Sequence, residues 1–409
     1  MRILVFNAGS SSLKCKLFQV VSSRAGPALE VLKEVLVERV GGAAAVRLSD
    51  PGGEMTVTET FVADPGAALQ TVLEALQAAD PSWSTRLAAA GHRIVHGGKR
   101  FRGPVLLDEE KLAALDALAE IAPLHNSPAL TVVRRSRDLL GSDLPMVAVF
   151  DTSFHQSLPP HAAQYAIPGD LTAKYAIYRY GFHGLAHQCM AERLAQLAPD
   201  GAGRRFITLQ LGNGCSVAAI KDGRSIDTSM GFTPLEGLVM GTRSGDVDPA
   251  MVSFLARREG VAADEVERWL NTRSGLLGVS GSSGDVRDLL AAEQAGDSRA
   301  ALALEMFCYR ARKYIGAYAA VLGGVDAIAF GGGIGENAPA IRARILEGML
   351  WAGLKLDVAR NQATAGAEGL ISKDGSRMRA YVVRVDEERL IAQETFELVQ
   401  PVARFRASM

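Results

Sequence analysis

Three turns rich in glycine or serine, each following a short and mostly apolar run, constrain the fold of this chain more than any other feature. The turns occupy residues 7–12, 212–216 and 331–337, and the apolar runs before them occupy residues 3–6, 206–211 and 326–330. An apolar run that ends in a small-residue turn is typical of a strand followed by a tight loop. Small residues also let backbone N–H groups approach phosphate oxygens closely. The pattern therefore predicts an α/β protein that carries anion-binding turns at the ends of its strands.

These turns match neither of the common nucleotide-binding motifs. None of them has the Gly-Lys-Ser/Thr ending of a P-loop, and residues 331–335 do not form the dinucleotide-binding fingerprint. The first two turns are nevertheless alike, because an offset of 205 residues places Gly9 over Gly214 and Ser11 over Ser216. The periods of solenoid repeats are much shorter, ~20–50 residues. This repeat therefore predicts two domains of similar topology.

Helix signals alternate with the predicted strands. Asp64 followed by Pro65 is typical of a helix cap and a first-turn proline. Apolar residues at 341, 345 and 349 predict a helix after the third turn, and the acidic residues from Asp386 onward predict a closing helix. A strand, a glycine turn and a helix in succession are typical of an α/β domain.

The composition excludes several classes of partner. Lys and Arg number 44 against 45 Asp and Glu, which gives a formal net charge of −1. A balanced chain lacks the field that attracts nucleic acid or an anionic membrane, so neither is expected as a partner. No apolar stretch approaches the ~18 residues of a membrane helix. The four cysteines are far apart and form no Cys-x-x-Cys pair, so we expect no disulfide framework and a cytoplasmic location.

Two arginines flanked by glycines are candidate anion ligands. The planar guanidinium groups of Arg93 and Arg243 suit carboxylate or phosphoryl oxygens. Arg243 has an alternative partner nearby, since Asp246 or Asp248 could hold it in an internal salt bridge. Asp151 follows an apolar run, where α/β proteins place ligand-handling residues, although it could equally cap a turn.

Histidines and paired glutamates offer further chemistry. All seven histidines fall in one part of the sequence: His92, His96, His125, His155, His161, His183 and His187. His183 and His187 have the i, i+4 spacing of a helix, for which hydrogen-bonded or substrate-facing roles are favoured over metal ligation. Glu387 and Glu388 could hold Mg²⁺ or could simply complement the dipole of a helix N-terminus.

Longer stretches of the sequence resemble a known family. Residues 5–14 and 92–101 resemble the two signature stretches of the acetate kinase (acetokinase) family. Further family motifs follow in the same order at residues 150–159, 180–184, 211–214, 241–249 and 332–337. The resemblance covers essentially the whole chain, and several long motifs in series are far more specific than one glycine pattern.

This resemblance implies a fold and a reaction. It implies an α/β protein of two duplicated domains of the actin-like ATPase (ribonuclease H-like) type, with an interdomain cleft. Residues 1–150 plus 386–409 would form the N-terminal domain, and residues 151–385 would form the nucleotide-binding domain. The implied activity is reversible, Mg²⁺-dependent (or Mn²⁺-dependent) in-line transfer from ATP to acetate, which gives acetyl phosphate and ADP. The family's habit also implies a homodimer.

The resemblance also implies roles for individual residues. The catalytic set would be Arg93, Asp151, His183 and Arg243, of which Arg243 and His183 would stabilise the transferring phosphoryl group. Asn7 and Glu387 would bind the metal. The substrate would be held by Arg93, Val95, Leu124, Phe182 and Pro234. ATP would be bound by Ser12, Lys14, Asn213, Gly214, Asp285, Val286, Arg287, Gly332, Gly333, Ile334, Gly335 and Asn337, with Ser10 in the first phosphate turn.

Three positions depart from the family pattern. Gln210 stands where the family commonly has His, and Val286 stands where it often has an aromatic residue. The approach to the C-terminal glutamates also differs, so the assignment of Glu387 rather than Glu388 to the metal depends on the register chosen.

Two alternative functions remain at this point. A small apolar pocket rejects one extra methylene by only ~1–3 kcal/mol, which leaves a kinase for propionate or another short-chain carboxylate as one alternative. The non-enzymatic alternative is an ATP-gated chaperone or an actin-like protein on the same fold.

Overall fold

The chain forms two compact units, each with its own sheet. The structure is a computed structural model that describes residues 1–9, 11–23, 26–118, 123–197 and 204–407, with side chains omitted at 22, 23, 26, 123–125 and 401–407. The first unit consists of Met1–Ser153 with Asp386–Met409, and the second consists of Phe154–Val385. The predicted domains differ from these units in placing residues 151–153 in the second.

The first unit contains an eight-stranded sheet. Its strands are β1 (Arg2–Ala8), β2 (Ser12–Ser23), β3 (Gly26–Glu38), β4 (Gly42–Ser49), β5 (Met55–Val62), β6 (Leu87–Ile94), β7 (Val105–Leu106) and β8 (Met146–Phe150). They lie in the order β5-β4-β3-β2-β1-β6-β8-β7. Strands β1, β6 and β8 are parallel neighbours, whereas β2 runs antiparallel to both β1 and β3. The carboxyl ends of β1, β6 and β8 therefore lie side by side.

The second unit contains a six-stranded sheet. Its strands are β9 (Arg205–Leu211), β10 (Cys215–Lys221), β11 (Arg224–Thr228), β12 (Ala327–Gly331), β13 (Gly369–Leu370) and β14 (Arg379–Val382). They lie in the order β11-β10-β9-β12-β14-β13. Strands β9, β12 and β14 are parallel neighbours, and β10 runs antiparallel to β9 and β11.

Six strands of the first sheet have the same order and directions as the six strands of the second. In both, the first strand lies between an antiparallel hairpin partner and two parallel strands, and a short antiparallel strand follows at the edge. The offset of 205 residues does not hold in detail. The hairpins close at Ala8–Leu13 and at Leu211–Cys215, so their loops differ in length and no single offset aligns both arms.

Helices connect the strands of both units. They are α1 (Pro65–Ala79), α2 (Glu109–Leu118), α3 (Pro123–Leu140), α4 (Pro160–Ala163), α5 (Gly169–Tyr175), α6 (Gly184–Leu197), α7 (Ala250–Glu259), α8 (Ala263–Thr272), α9 (Gly275–Ser280), α10 (Val286–Gln294), α11 (Ser298–Leu322), α12 (Gly332–Asn337), α13 (Pro339–Leu346), α14 (Val358–Ala363) and α15 (Glu387–Ala407). Within the described residues, no helix combines the length and the apolarity that crossing a membrane requires.

Helix boundaries follow the local sequence rules. The predicted cap at Asp64 is confirmed, because its side chain accepts a hydrogen bond from the backbone N–H of Ala67, and Pro65 opens α1. The predicted helix through Met349 is too long. Helix α13 ends at Leu346, because Gly348 adopts a φ of +77° and a short 3₁₀ turn follows it.

Candidate functional site

Three polar side chains of the first unit meet at the carboxyl ends of its parallel strands. Asn7 lies near the end of β1, Arg93 near the end of β6, and Asp151 directly after β8. Arg93 donates two hydrogen bonds to Asp151, Nε to Oδ1 at 2.8 Å and Nη2 to Oδ2 at 2.6 Å. Its Nη1 donates to Asn7 Oδ1 at 2.9 Å. Asp151 therefore binds the guanidinium of Arg93 in a bidentate ion pair, rather than acting as the turn cap that was the alternative.

Helix α15 adds two glutamates to this group. Asn7 Nδ2 donates to Glu387 Oε2 at 3.0 Å and to Glu388 Oε1 at 2.8 Å, and Arg93 Nη1 lies 3.7 Å from Glu387 Oε2. The helix comes close to the sheet because β6 has a glycine at Gly91. A Cβ at that position would lie 2.8 Å from Ile391 Cγ2 on α15. The N-terminus of α15 is therefore placed by its packing on β6.

The two glutamates lie in different electrostatic surroundings. Glu388 Oε2 lies 3.0 Å from Lys14 Nζ and 3.3 Å from Lys16 Nζ. Burial opposes the charge of Glu388, yet the two lysines outweigh it and lower its pKa. Burial raises the pKa of Glu387, and Arg93 compensates only in part. Glu388 is thus neutralised inside the protein, whereas Glu387 keeps a carboxylate that a further cation would stabilise. Lys14 also lies 3.3 Å from Glu34.

The donor chemistry around Asn7 fits a magnesium ion. Within the described residues, no three or more His, Cys, Asp and Glu side chains cluster in a way that could hold a metal on their own. Mg²⁺, however, usually takes one or two carboxylates and completes its shell with waters and substrate phosphates. Asn7 and Glu387 supply hard oxygen donors of this kind. In the present arrangement the oxygen of Asn7 accepts from Arg93, so metal ligation by Asn7 stays a prediction.

The second unit brings a histidine and an arginine together around one glycine. A Cβ placed on Gly214 would lie 2.9 Å from Arg243 Nη2 and 3.3 Å from His183 Nε2. His183 has a φ of +56° and lies immediately before α6. Its Nδ1 is hydrogen-bonded to Ser216 Oγ at 2.8 Å. The small residue in the second glycine turn therefore leaves space where a guanidinium and an imidazole face the same point.

Arg243 has no carboxylate partner among the described residues. Its Nη1 donates to the carbonyl oxygen of Pro234 at 2.8 Å. The alternative salt bridge with Asp246 or Asp248 is wrong, because Asp246 instead lies 3.2 Å from Arg310 and accepts from the backbone N–H of Gly237. Burial lowers the pKa of Arg243. A half-buried guanidinium without an internal carboxylate is a candidate binding group for the anion of a ligand.

A cavity of about 600 Å³ lies in the same unit, lined by three segments of the chain. It is lined by Gly212, Asn213, Gly284, Asp285, Val286, Arg287, Gly333, Ile334, Asn337 and Ala338. This volume is within the usual range for small-molecule sites, ~300–1,000 Å³. Seven of the predicted ATP contacts are in this set, and their convergence on one cavity was not encoded in any single motif.

The predicted third glycine turn is a short helix, α12, and it contributes Gly333, Ile334 and Asn337 to the lining of this cavity. Gly332 has a φ of +76°, and a Cβ there would lie 2.7 Å from the carbonyl oxygen of Leu211 and 2.8 Å from Gln210 Nε2. Its N–H donates to Glu336 Oε1 at 3.1 Å. Gly332 and Gly335 are buried. Because the N–H of Gly332 donates to Glu336, it is not available to a ligand. Gln210 packs on this glycine, and its Oε1 is buried with no partner in the described part of the chain.

The profile of the acetokinase family matches residues 2–393. The chain belongs to the acetokinase family. The acetate kinase of Solibacter usitatus (strain Ellin6076) is 48% identical over 413 residues, covering 98% of each protein. The acetate kinase of Phocaeicola vulgatus is 45% identical over 406 residues, covering 98% of this chain and 100% of that relative.

Solved structures of the acetokinase family have the same fold. Porphyromonas gingivalis acetate kinase superposes with a TM-score of 0.86 at 40% identity, covering 97% of this chain and 99% of that one. A propionate kinase from Francisella tularensis subsp. tularensis superposes with a TM-score of 0.88 at 36% identity, with the same coverage. The fold is therefore the actin-like ATPase type of these kinases, as predicted.

The acetokinase residues predicted from sequence divide between the two units. The first unit holds Asn7, Ser12, Lys14, Arg93, Val95, Leu124, Asp151 and Glu387, and the second holds Phe182, His183, Asn213, Gly214, Pro234, Arg243, Asp285, Val286, Arg287, Gly332, Gly333, Ile334, Gly335 and Asn337. Val95 and Phe182 are buried, and Asp285 forms an ion pair with Arg287. Ser10 and the side chain of Leu124 lie outside what the structure describes. The roles of all these residues stay predictions.

Several polar residues of this acetokinase were not predicted from sequence. Lys16 is 7% exposed and supports Glu388, and Ser216 joins two histidines. Arg342 is fully buried and donates through Nη1 to the carbonyl oxygens of Gly335 and Glu336, which anchors the third glycine turn. For this group of residues, the sequence signal was the i, i+4 spacing of His183 and His187, which is typical of two residues on one side of a helix.

Proposed function

We propose that the protein catalyses reversible transfer of the γ-phosphoryl group of ATP to acetate, giving acetyl phosphate and ADP. Arg243 carries this proposal, because it is a half-buried guanidinium without a carboxylate among the described residues and faces the same point as His183. Family membership and relatives named acetate kinase at 45–48% identity support the same activity.

The reaction needs positioning and charge stabilisation more than proton transfer. A carboxylate oxygen of acetate attacks the γ-phosphorus in line, the bond to the bridging oxygen breaks, and ADP leaves with the electron pair. Acetate is already ionised at neutral pH, so no general base is needed. Arg93 binds the carboxylate, and Asp151 fixes the plane of that guanidinium. Arg243 and His183 stabilise the charge that spreads over the equatorial oxygens.

Magnesium belongs to the same proposal. Asn7 and Glu387 would hold Mg²⁺, or Mn²⁺ in its place, and the ion would neutralise charge on the nucleotide phosphates. The carboxylate of Glu387 supports this assignment because it lacks the lysine partners of Glu388.

The nucleotide is assigned to the cavity of the second unit. Its lining includes Asn213, the N-terminus of α10 at Asp285–Arg287, and Gly333 and Asn337 of α12. Val286 offers an apolar contact to an adenine ring in place of an aromatic one, so stacking contributes less than an aromatic side chain would.

A propionate kinase is the second candidate. The similarity to the Francisella tularensis propionate kinase, at 36% identity, favours keeping it. Comparing kcat/KM for acetate, propionate and butyrate separates the two, and acetate is expected to lead propionate by roughly 10–200-fold for one methylene.

A cytoplasmic homodimer completes the proposal. Helix α11 exposes apolar side chains at helical spacing, Leu302 at 51%, Met306 at 39% and Tyr309 at 59%, which supports association with another surface. Sedimentation velocity tests the dimer, and cell fractionation tests the location.

Arg93 provides the first test of the activity. Arg93→Lys keeps the charge but loses the planar fork, and it should lower kcat/KM for acetate at least about 100-fold. Binding of a fluorescent ATP analogue should be unchanged. Arg100→Ala is the control, since Arg100 is an exposed arginine paired with Glu110. A hydroxamate assay for acyl phosphate measures turnover, and near-normal turnover of Arg93→Lys would refute the assigned role.

A further inference from the structure

Four polar side chains of the second unit form one continuous hydrogen-bonded chain. Thr208 Oγ1 lies 2.7 Å from His187 Nδ1, and His187 Nε2 lies 2.8 Å from Ser216 Oγ. Ser216 Oγ lies 2.8 Å from His183 Nδ1. Thr208, His187 and Ser216 are each 0% exposed. The chain therefore runs from the interior of strand β9 to the histidine that faces Arg243, without passing through water.

The number of protons in this chain limits how it can be arranged. Burial, together with His155 and His183, lowers the pKa of His187 well below its ordinary value, so its ring is neutral and carries one N–H. Ser216 Oγ has no partner other than these two histidines among the described residues, so its single hydroxyl proton is satisfied only if it donates to one histidine and accepts from the other. Two directions remain. Either every donor points toward His183, or every donor points toward Thr208.

The hydroxyl of Thr208 decides between these two directions. If the donors point toward Thr208, its oxygen accepts from His187 and its own proton needs another acceptor. In the described part of the chain, Thr208 Oγ1 has no hydrogen-bond partner other than His187. A buried donor left without an acceptor costs roughly 1–3 kcal/mol. If the donors point toward His183, every hydroxyl proton in the chain is used.

We propose that Thr208, His187 and Ser216 hold His183 as the neutral tautomer protonated at Nε2. Thr208 donates to His187 Nδ1, His187 Nε2 donates to Ser216, and Ser216 donates to His183 Nδ1. The remaining proton of His183 is then on Nε2, the atom that faces Gly214 and Arg243. The three supporting side chains are positioning residues, because none of them faces that point.

The tautomer decides what His183 offers to an anion. With the proton on Nε2, the ring donates a hydrogen bond to an oxygen held beside Arg243. With the proton on Nδ1, a neutral ring would present a lone pair to the same oxygen and repel it. The identity of that anion, a transferring phosphoryl group, rests on the proposed function. The tautomer itself does not.

Nitrogen NMR measures the tautomer directly. In protein labelled with ¹⁵N-histidine, the resonances of His183 are assigned by their loss in His183→Gln. We expect Nδ1 of His183 to have the downfield shift of an unprotonated ring nitrogen, and Nε2 to have the shift of an N–H. The reverse pattern in the wild-type protein overturns the proposal, whether or not the protein phosphorylates acetate.

Variants test the chain that sets the tautomer. Ser216→Ala removes the link, and Thr208→Val removes the donor that gives the chain its direction. Both should shift His183 toward a mixture of tautomers. Ser216→Ala should lower kcat about tenfold, the worth of one hydrogen bond, with little change in KM. Thr208→Ser keeps the hydroxyl and should restore the wild-type spectrum and rate.

A matched control separates this chain from general loss of a buried hydroxyl. Ser225 Oγ lies 2.8 Å from His155 Nδ1, a second buried serine–histidine pair in the same unit. Ser225→Ala should leave the tautomer of His183 and kcat near wild type. If Ser216→Ala and Thr208→Val also leave the tautomer unchanged, the chain does not set it. Should either variant fold poorly, the wild-type spectrum still decides the proposal.

Discussion

Two arginines of this protein show how surroundings divide roles between residues of one type. Burial opposes the charge of Arg93, but Asp151 and Glu387 outweigh it, and the pKa of Arg93 is raised. Burial lowers the pKa of Arg243, which lies near no carboxylate in the described residues. Arg93 is thus held in place before any substrate arrives. The charge of Arg243 is not neutralised by a carboxylate in the described residues, so it is available to a ligand.

The paired glutamates give a prediction at the same scale. Glu387→Gln should raise the Mg²⁺ concentration needed for half-maximal activity at least about tenfold, because it removes the carboxylate without lysine partners. Glu388→Gln should instead lower the free energy of unfolding by about 1–3 kcal/mol, because Lys14 and Lys16 lose a buried carboxylate while Lys16 keeps Asp386 at 2.8 Å.

Two measurements on the same pair of variants check this assignment. Magnesium titration of activity gives the metal dependence, and urea unfolding gives the stability. A larger shift in magnesium dependence for Glu388→Gln than for Glu387→Gln would reverse the roles assigned to the two residues.

At the scale of elements, one strand residue controls the position of a helix. Gly91 lies in β6, and the space above it is occupied by Ile391 and Thr395 of α15. The first turn of that helix carries Glu387 and Glu388. The positions of Glu387 and Glu388 at the strand ends therefore depend on the contact of Gly91 with Ile391 and Thr395.

Replacing Gly91 should disturb both packing and the site. In Gly91→Ala the added methyl group would overlap Thr395 and Ile391, so we expect a loss of roughly 1–3 kcal/mol in stability and a rise in the KM for magnesium. Gly42→Ala is the matched control. Gly42 lies in β4 of the same sheet, and a Cβ there would have nothing within 4 Å. Urea unfolding and steady-state kinetics measure the two effects, and a Gly91→Ala protein as stable and active as Gly42→Ala would contradict this account.

For the whole molecule, a buried histidine links folding to pH. His92 is 1% exposed, stacks on Phe6 with ring centroids 5.1 Å apart, and has no partner for either ring nitrogen in the described residues. Burial lowers its pKa from 6.5 to about 3. The unfolded chain therefore binds a proton at His92 below about pH 6.5 that the folded protein does not, and acid favours unfolding.

The sign and size of this effect can be measured. Stability should be unaffected by His92 above about pH 6.5 and should fall by about 1.4 kcal/mol per pH unit below it. His92→Leu should remove this part of the slope, so the variant should lose about 2 kcal/mol less than wild type between pH 7 and pH 5. Urea unfolding at both pH values gives the difference, with the exposed His161→Leu as control. Equal slopes for His92→Leu and wild type would show that His92 is not the source.

Local sequence alone determined several turns and helix ends of this protein. The first two small-residue turns, the cap at Asp64 and the closing helix follow from neighbouring residue types, because turns, caps and periodicity depend on a few adjacent positions. The predicted third turn is wrong in this respect, since Gly332–Asn337 form helix α12. The series of motifs was enough to predict the acetokinase family and its fold, which the comparisons confirm.

Only the tertiary structure decided which side chains meet. Asp151 holds Arg93 because β6 and β8 are parallel neighbours, and Ser216 joins two histidines because β10 packs its hydroxyl beside α6. The choice between Glu387 and Glu388 likewise depends on which of them the lysines of β2 reach. Strand order, register and helix packing set these distances across many residues of sequence, so no local pattern could contain them.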